Sequence, residues 1–157
     1  ACITGPSLLT PSADRVNGYK KAMAEAKIEI NPEWVVVGDF QFNGGEEGIV
    51  ALQKLDPRPT AIFACNDMMA LGVMRGLRKA GLSVPSDISL IGFDDISLAS
   101  VISPGLTTIA QPIQKISELA IELLVKRIQN KDTAASDERI VLPTQLIIRE
   151  SCKEYRP

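Results

Sequence analysis

Hydrophobic positions along this chain follow two alternating periods. Short runs rich in apolar and β-branched residues at 2–4, 34–38, 60–65, 87–92 and 107–109 read as strands. Between them, apolar residues spaced three and four apart predict helices over 14–26, 44–55 and 67–80. With connections this short, each unit crosses over right-handed and returns beside an earlier strand. The fold class is therefore α/β: an open parallel sheet with flanking helices on both faces.

The last third departs from that rhythm. Pro112 suits the first turn of a helix that runs to about Asn130. Ile113, Ile116, Ala120, Leu123, Leu124 and Arg127 lie along one of its faces, and Ile121, Val125 and Ile128 make a second face apolar too. Such a helix is either fully buried or lacks a partner. The polar stretch 130–138 reads as a loop, and 139–149 alternates as a final strand in which Pro143 suggests an edge or a break.

Composition narrows the function. At 157 residues and 45% hydrophobic content the chain is one domain with room for a core. No apolar run reaches the ~20 residues that span a bilayer, and the start lacks a basic-then-apolar leader, so no membrane role is expected. With a net charge of −2 and scattered basic residues, there is no electrostatic footprint for nucleic-acid phosphates. Histidine is absent altogether, which removes Ser-His and Cys-His nucleophiles and His metal ligands. Cys2, Cys65 and Cys152 are odd in number and far apart, fitting neither a disulfide framework nor a zinc site, and a reducing, cytoplasmic setting is expected. Cys65 reads as a small buried hydrophobe. The chain opens at Ala1 inside a strand, without Met, and is expected to be part of something longer.

In an open parallel sheet, ligands bind beyond the carboxyl ends of the strands, where loops converge and helix N-termini point outward. Past those ends come the loop holding Arg15, then Phe40, Asn66, Asp94 and Gln111. One cation, one aromatic ring, two amides and one carboxylate make a poor acid–base set. They suit hydroxyl groups instead, since carboxylate and amide accept from vicinal OH groups, Arg and amide donate, and an aromatic face covers the C–H face of a sugar.

Each has a plainer alternative. Asn66 precedes a helix and fits an N-cap. Arg15 fits a solvated surface, Phe40 and Phe42 fit packing at a strand end, and Asp94 with Asp95 fits a turn. Asp94–Asp95 as a metal site or acid–base dyad is disfavoured, because adjacent residues after a strand point apart and no further carboxylate completes the set. The run "NGGEEG" at 43–48 lacks the Lys-Ser/Thr ending of a phosphate loop, and Glu46 and Glu47 suit a helix N-terminus, so it reads as a helix start. In "MMALGVMRGLRKAGL", Gly72 and Gly76 share a face that another backbone can approach closely, and Gly81 supplies a stop. The outer face of that helix, with its Met residues, suits either the core or a second subunit.

The segments "ITGP", "DRVNGYKKAM", "GDFQFNGG", "PTAIFACNDMMALGVMRGLRKAGLSVPSDISLIGFDD", "SPGLTTIAQP" and "LIIRESC" resemble, in order and spacing, the effector-binding core of the lactose-repressor (LacI/GalR) family of bacterial transcription regulators, most closely its ribose repressors. The resemblance covers essentially the whole chain. It implies a periplasmic-binding-protein-like fold of two subdomains, preceded by a DNA-binding head and a hinge helix that this chain lacks. Residues 1–110 would be the C-terminal effector-binding subdomain, 111–135 a crossover and helix belonging to a mostly missing N-terminal subdomain, and 136–157 the return strand and tail.

The implied function is a non-enzymatic, cytoplasmic repressor core that senses a small sugar, a ribose-like pentose before others, and thereby alters operator DNA binding allosterically. By the same resemblance Arg15, Phe40, Asn66, Asp94 and Gln111 match effector-contacting positions, with no catalytic residue, metal or cofactor. A homodimer would form through the helix 68–80 and the loop 97–105. Asp95 is expected to anchor the loop that follows it or to face the dimer. Leu9 and Pro11 stand where purine-binding members carry polar residues, which disfavours a purine, and Lys27 stands where the family often has Gly. An exported sugar-binding protein of a transport system shares this site logic and is the alternative; a sugar-modifying enzyme is poorly supported without histidine.

Overall fold

A computed structural model describes residues 1–130 and 139–155. Six strands form one sheet: β1 (Cys2–Thr4), β2 (Val35–Val37), β3 (Ala61–Ala64), β4 (Ser89–Asp94), β5 (Thr107–Ala110) and β6 (Gln145–Ile147), in the order β2-β1-β3-β4-β5-β6. The first five are mutually parallel, and β6 returns antiparallel along the β5 edge. Helices α1 (Thr10–Glu25), α2 (Phe42–Leu52), α3 (Asp67–Lys79), α4 (Leu98–Val101) and α5 (Ile113–Asn130) complete the chain, with a 3-10 turn at Pro32–Trp34. The expected open α/β sheet is present, and its one antiparallel member sits at an edge.

Local sequence sets the element ends. Helix α1 starts at Thr10, earlier than the periodicity indicates, because Pro11 occupies its first turn without forfeiting a helical N–H. Helix α2 likewise starts at Phe42, which corrects the reading of Glu46 and Glu47 as first-turn charges. Glu46 instead pairs across to Arg75 (3.7 Å) and Lys79 of α3, and the Lys79 ammonium beside it holds its carboxyl below the usual range. Gly81, at φ 74°, ends the turn after α3.

The core lies between the sheet and the α2–α3 pair and includes Ile3, Ile49, Ile62, Met69, Val73, Leu77 and Leu90, all essentially buried. α2 and α3 meet backbone to backbone. A Cβ at Gly45 would strike the Met69 carbonyl, and one at Gly72 would strike the Phe42 carbonyl, so only glycine permits this approach. Cys2 on β1 and Cys65 just past β3, distant in sequence, come together with sulfurs 3.7 Å apart, both buried as free thiols.

Helix α5 stands apart from that core. Ile113, Ile121, Leu124, Val125 and Ile128 are all exposed, and its apolar side toward Leu119 and Leu123 faces Ile140 and Leu142 across an open groove. The predicted strand 139–149 shrinks to Gln145–Ile147, beginning two residues after Pro143. The predicted loop at 130–138 lies, from 131 onward, outside the described residues.

Candidate functional site

The carboxyl ends of β1, β3, β4 and β5 open onto one place. Three of the five candidate residues are joined directly there. The Asp94 carboxylate at the end of β4 accepts at Oδ1 from Gln111 Nε2 (2.7 Å), just past β5, and from Arg15 Nη2 (3.4 Å), in the second turn of α1. Arg15 Nη1 also donates to the Cys65 carbonyl at the end of β3. Its side chain is only 15% exposed, so the solvated-surface alternative does not describe it.

Asn66 and Phe40 form the adjoining wall. Asn66 Oδ1 accepts from the Met69 N–H (2.9 Å), which makes it the N-cap of α3, while its Nδ2 donates to the Phe40 carbonyl (2.8 Å). The cap and the site positions thus coincide in one residue: the amide is immobilised by the helix it starts and still has a second N–H to offer. The Phe40 ring lies over Gly5, where any Cβ would collide with it, and 5.6 Å from the Arg15 guanidinium.

Several contributors were not legible from the sequence. Phe93 stacks beneath Arg15, its ring centroid 3.9 Å from the guanidinium carbon, which fixes the plane of the cation. The available signal was its place on β4 one residue before Asp94. Asp67, first residue of α3, is fully buried and accepts from Thr108 Oγ1 (2.6 Å) and from the Ile96 N–H (2.9 Å), tying down the loop beyond β4. Burial pushes its carboxyl pKa up, against those two hydrogen bonds. For Asp95, the expectation of a loop anchor is corrected. Its carboxylate does not hold the following loop, a task that falls to Asp67, but accepts from Arg149 Nη2 (2.8 Å) on the segment after β6.

Three residues here have left-handed backbone without being glycine: Phe40 (φ 65°), Asp94 (φ 115°) and Asp95 (φ 55°). Such strain persists only where surrounding structure over-determines it. Beside Asp94, an open groove of about 570 Å³ runs along Asp95, Gln111, Gln114, Lys115 and Glu118. Among the described residues no group of three Cys, Asp or Glu side chains is placed to hold a metal ion, and no helix is long and apolar enough to cross a membrane. The arrangement offers one carboxylate acceptor, guanidinium and amide donors, and an aromatic face.

Residues 1–152 match the periplasmic binding protein-like domain family. The chain belongs to that family. Within it, the chain is a LacI/GalR-type effector-binding core, most like those of ribose repressors. The ribose operon repressor of Haemophilus influenzae is 42% identical over 149 residues, covering 95% of this chain and 44% of that protein. The repressor PurR of Vibrio vulnificus is 39% identical over 155 residues, covering 98% of this chain and 46% of that one. Among solved structures, the transcriptional regulator CelR in complex with cellobiose superposes with a TM-score of 0.89 at 34% identity, over 96% of this chain and 46% of its own. The periplasmic binding protein-like chain described here spans somewhat under half the length of these relatives.

Proposed function

We propose that this core is the effector-sensing and dimerising part of a bacterial transcription repressor, and that its effector is a small sugar of the ribose type. The observation that carries this reading is the convergence of Arg15 and Gln111 on the Asp94 carboxylate, flanked by Asn66 and the Phe40 ring. Both protein donors meet Asp94 at Oδ1, and Oδ2 is the acceptor for a pair of sugar hydroxyls. Arg15 and Asn66 orient ring oxygens, Gln111 sits where the chain crosses toward α5, and Phe40 covers a C–H face. Similarity to a ribose operon repressor and to a regulator bound to cellobiose supports a sugar over other small molecules.

In this reading residues 1–110 form one wall of the cleft, 111–135 cross to a second wall supplied by further sequence, and 136–157 return. Effector bound between the walls favours their closed arrangement, and operator affinity changes at a DNA-binding head elsewhere in the protein only because the two arrangements differ in effector affinity. The repressor works in the cytoplasm and catalyses nothing. Its dimer forms through the helix 68–80 and the loop 97–105, where Leu71, Met74, Ile102 and Pro104 line an apolar hollow of about 450 Å³ and Leu98 and Val101 are exposed.

The test is calorimetric titration of D-ribose into the intact repressor and its Asp94→Ala variant. Charge-assisted hydrogen bonds contribute ~1.5–3 kcal/mol each, so affinity should fall roughly ten- to a thousand-fold. Unchanged affinity in the variant overturns the assignment of Asp94. Tight binding of a purine base and none of a pentose overturns the sugar.

A further inference from the structure

The turn at the end of β4 is two consecutive non-glycine residues in left-handed backbone, Asp94 and Asp95. Aspartate tolerates that conformation better than most L residues, but two in a row still carry its steric cost. Four side chains hold the turn from outside. Arg15 and Gln111 hold the Asp94 carboxylate, Asp67 holds the Ile96 N–H, and Arg149 holds the Asp95 carboxylate.

Arg149 is itself firmly placed, from the segment after β6. Its Nη1 donates to the Leu106 carbonyl (2.8 Å), which orients the guanidinium plane, and Nη2 then meets Asp95 Oδ1 at 2.8 Å. Its backbone N–H donates to Thr107 Oγ1 (3.0 Å), and that hydroxyl donates back to the Arg149 carbonyl (3.2 Å). Two residues on, the Ser151 hydroxyl donates to the Leu90 carbonyl (2.6 Å) and accepts from the Thr107 N–H (2.8 Å). The fork of a guanidinium serves both a carbonyl and a carboxylate at once, which a lysine ammonium on a flexible stem does far less well.

We infer that Arg149 is a positioning residue for the effector site: by clamping Asp95 in its left-handed conformation it aims the neighbouring Asp94 carboxylate into the cleft. The clamp also links the turn to the segment that returns through β6, so a shift of that segment moves the binding carboxylate. The consequence for sugar affinity rests on the sugar-sensor reading above, whereas the consequence for the turn does not.

The experiment uses the intact repressor with two readouts, amide hydrogen exchange at Asp95 and Ile96, and D-ribose affinity by calorimetry. Arg149→Met should speed exchange at those two amides at least ten-fold and weaken ribose binding by roughly five- to fifty-fold, with Arg149→Lys in between. Adding Asp95→Gly to Arg149→Met should return both readouts most of the way to wild type, because glycine adopts positive φ without a clamp. A purely structural anchor for the C-terminal segment would not be rescued by glycine at 95. Exchange unchanged in Arg149→Met, or loss of both readouts without rescue in the double variant, overturns the inference. If the wild-type protein binds no ribose the sugar reading falls, and exchange with its glycine rescue still decides whether Arg149 holds the turn.

Discussion

The close contact between α2 and α3 makes a substitution of opposite sign to its usual effect. Gly72 lies mid-helix in α3, where alanine would ordinarily add about 1 kcal/mol through helix propensity. Its Cβ, however, would fall on the Phe42 carbonyl oxygen, within 3.0 Å of the Phe42 carbonyl carbon and 2.9 Å of the Glu46 nitrogen. Those are backbone atoms, so no side chain can swing aside and the two helices must part. Overpacking of this kind costs about 3 kcal/mol at the upper end of its usual range, leaving a net loss of about 2 kcal/mol. Gly18, mid-helix in α1, is the control: an added Cβ there meets nothing within 4 Å, and Gly18→Ala should stabilise by about 0.5–1 kcal/mol. Urea unfolding followed through the single tryptophan, Trp34, separates the two. With a slope of about 2 kcal/mol/M, Gly72→Ala should lower the midpoint by about 1 M and Gly18→Ala should raise it slightly. A Gly72→Ala midpoint at or above wild type would refute the packing argument.

Two further substitutions test local strain and buried charge. Lys27 follows α1 at φ 56° in a Schellman arrangement, with Lys27 N–H on the Ala24 carbonyl (3.0 Å) and Ile28 N–H on that of Met23 (2.9 Å), so Lys27→Gly should stabilise by about 0.5–1 kcal/mol in thermal unfolding. Asp67 has its folded pKa raised by burial, so the folded state holds that proton more tightly than the unfolded one, and its stability contribution falls as pH rises from the ordinary value of 3.8 through the raised one. Urea titrations at a series of pH values should therefore show wild type losing stability relative to Asp67→Asn as pH rises across that window; a difference that stays flat or grows in wild type's favour would contradict the buried-charge account.

The parallel sheet was readable because its strands are apolar runs whose only competitors, the helices, carry a different period. Phe40, Asn66, Asp94 and Gln111 were readable as neighbours for a topological reason, since they follow strand ends and need no knowledge of side-chain contacts, whereas Arg15, in the second turn of α1, meets them through Asp94 and the Cys65 carbonyl. What escaped was everything fixed by long-range pairing. Asp95 and Arg149 are 54 residues apart, and their meeting depends on β6 returning antiparallel along β5. Phe93 beneath Arg15 depends on how α1 lies over the sheet, and Cys2 beside Cys65 on the β1–β3 pairing. The start of α2 was placed two residues late, at Gly44 instead of Phe42, because Glu46 and Glu47 suit a first turn, whereas they lie further along the helix and Gly45 is there for the α3 backbone that faces it. A local rule was overridden in that case by a tertiary demand.

That conflict between local preference and global fold is concentrated at the site. Among the described residues, three of the four non-glycine residues with positive φ, Phe40, Asp94 and Asp95, surround the candidate cleft, and the fourth, Lys27, caps a helix. Lys27 needs no outside help, because its own turn satisfies the backbone. Each of the other three is held by a bond from a different element: Asn66 to the Phe40 carbonyl, Gln111 and Arg15 to Asp94, Arg149 to Asp95. A binding surface built this way exists only when α3, β5, α1 and the returning segment are all in register, so its geometry reports on their relative placement. Linkage then works in both directions: a ligand that requires Asp94 in this pose stabilises that placement, and a shift of the crossing segments weakens the ligand by the same factor. In the sensor reading proposed above, whose output lies in another part of the protein, strain held from several elements serves better than glycine would, since glycine would let the turn keep its shape after the elements had moved.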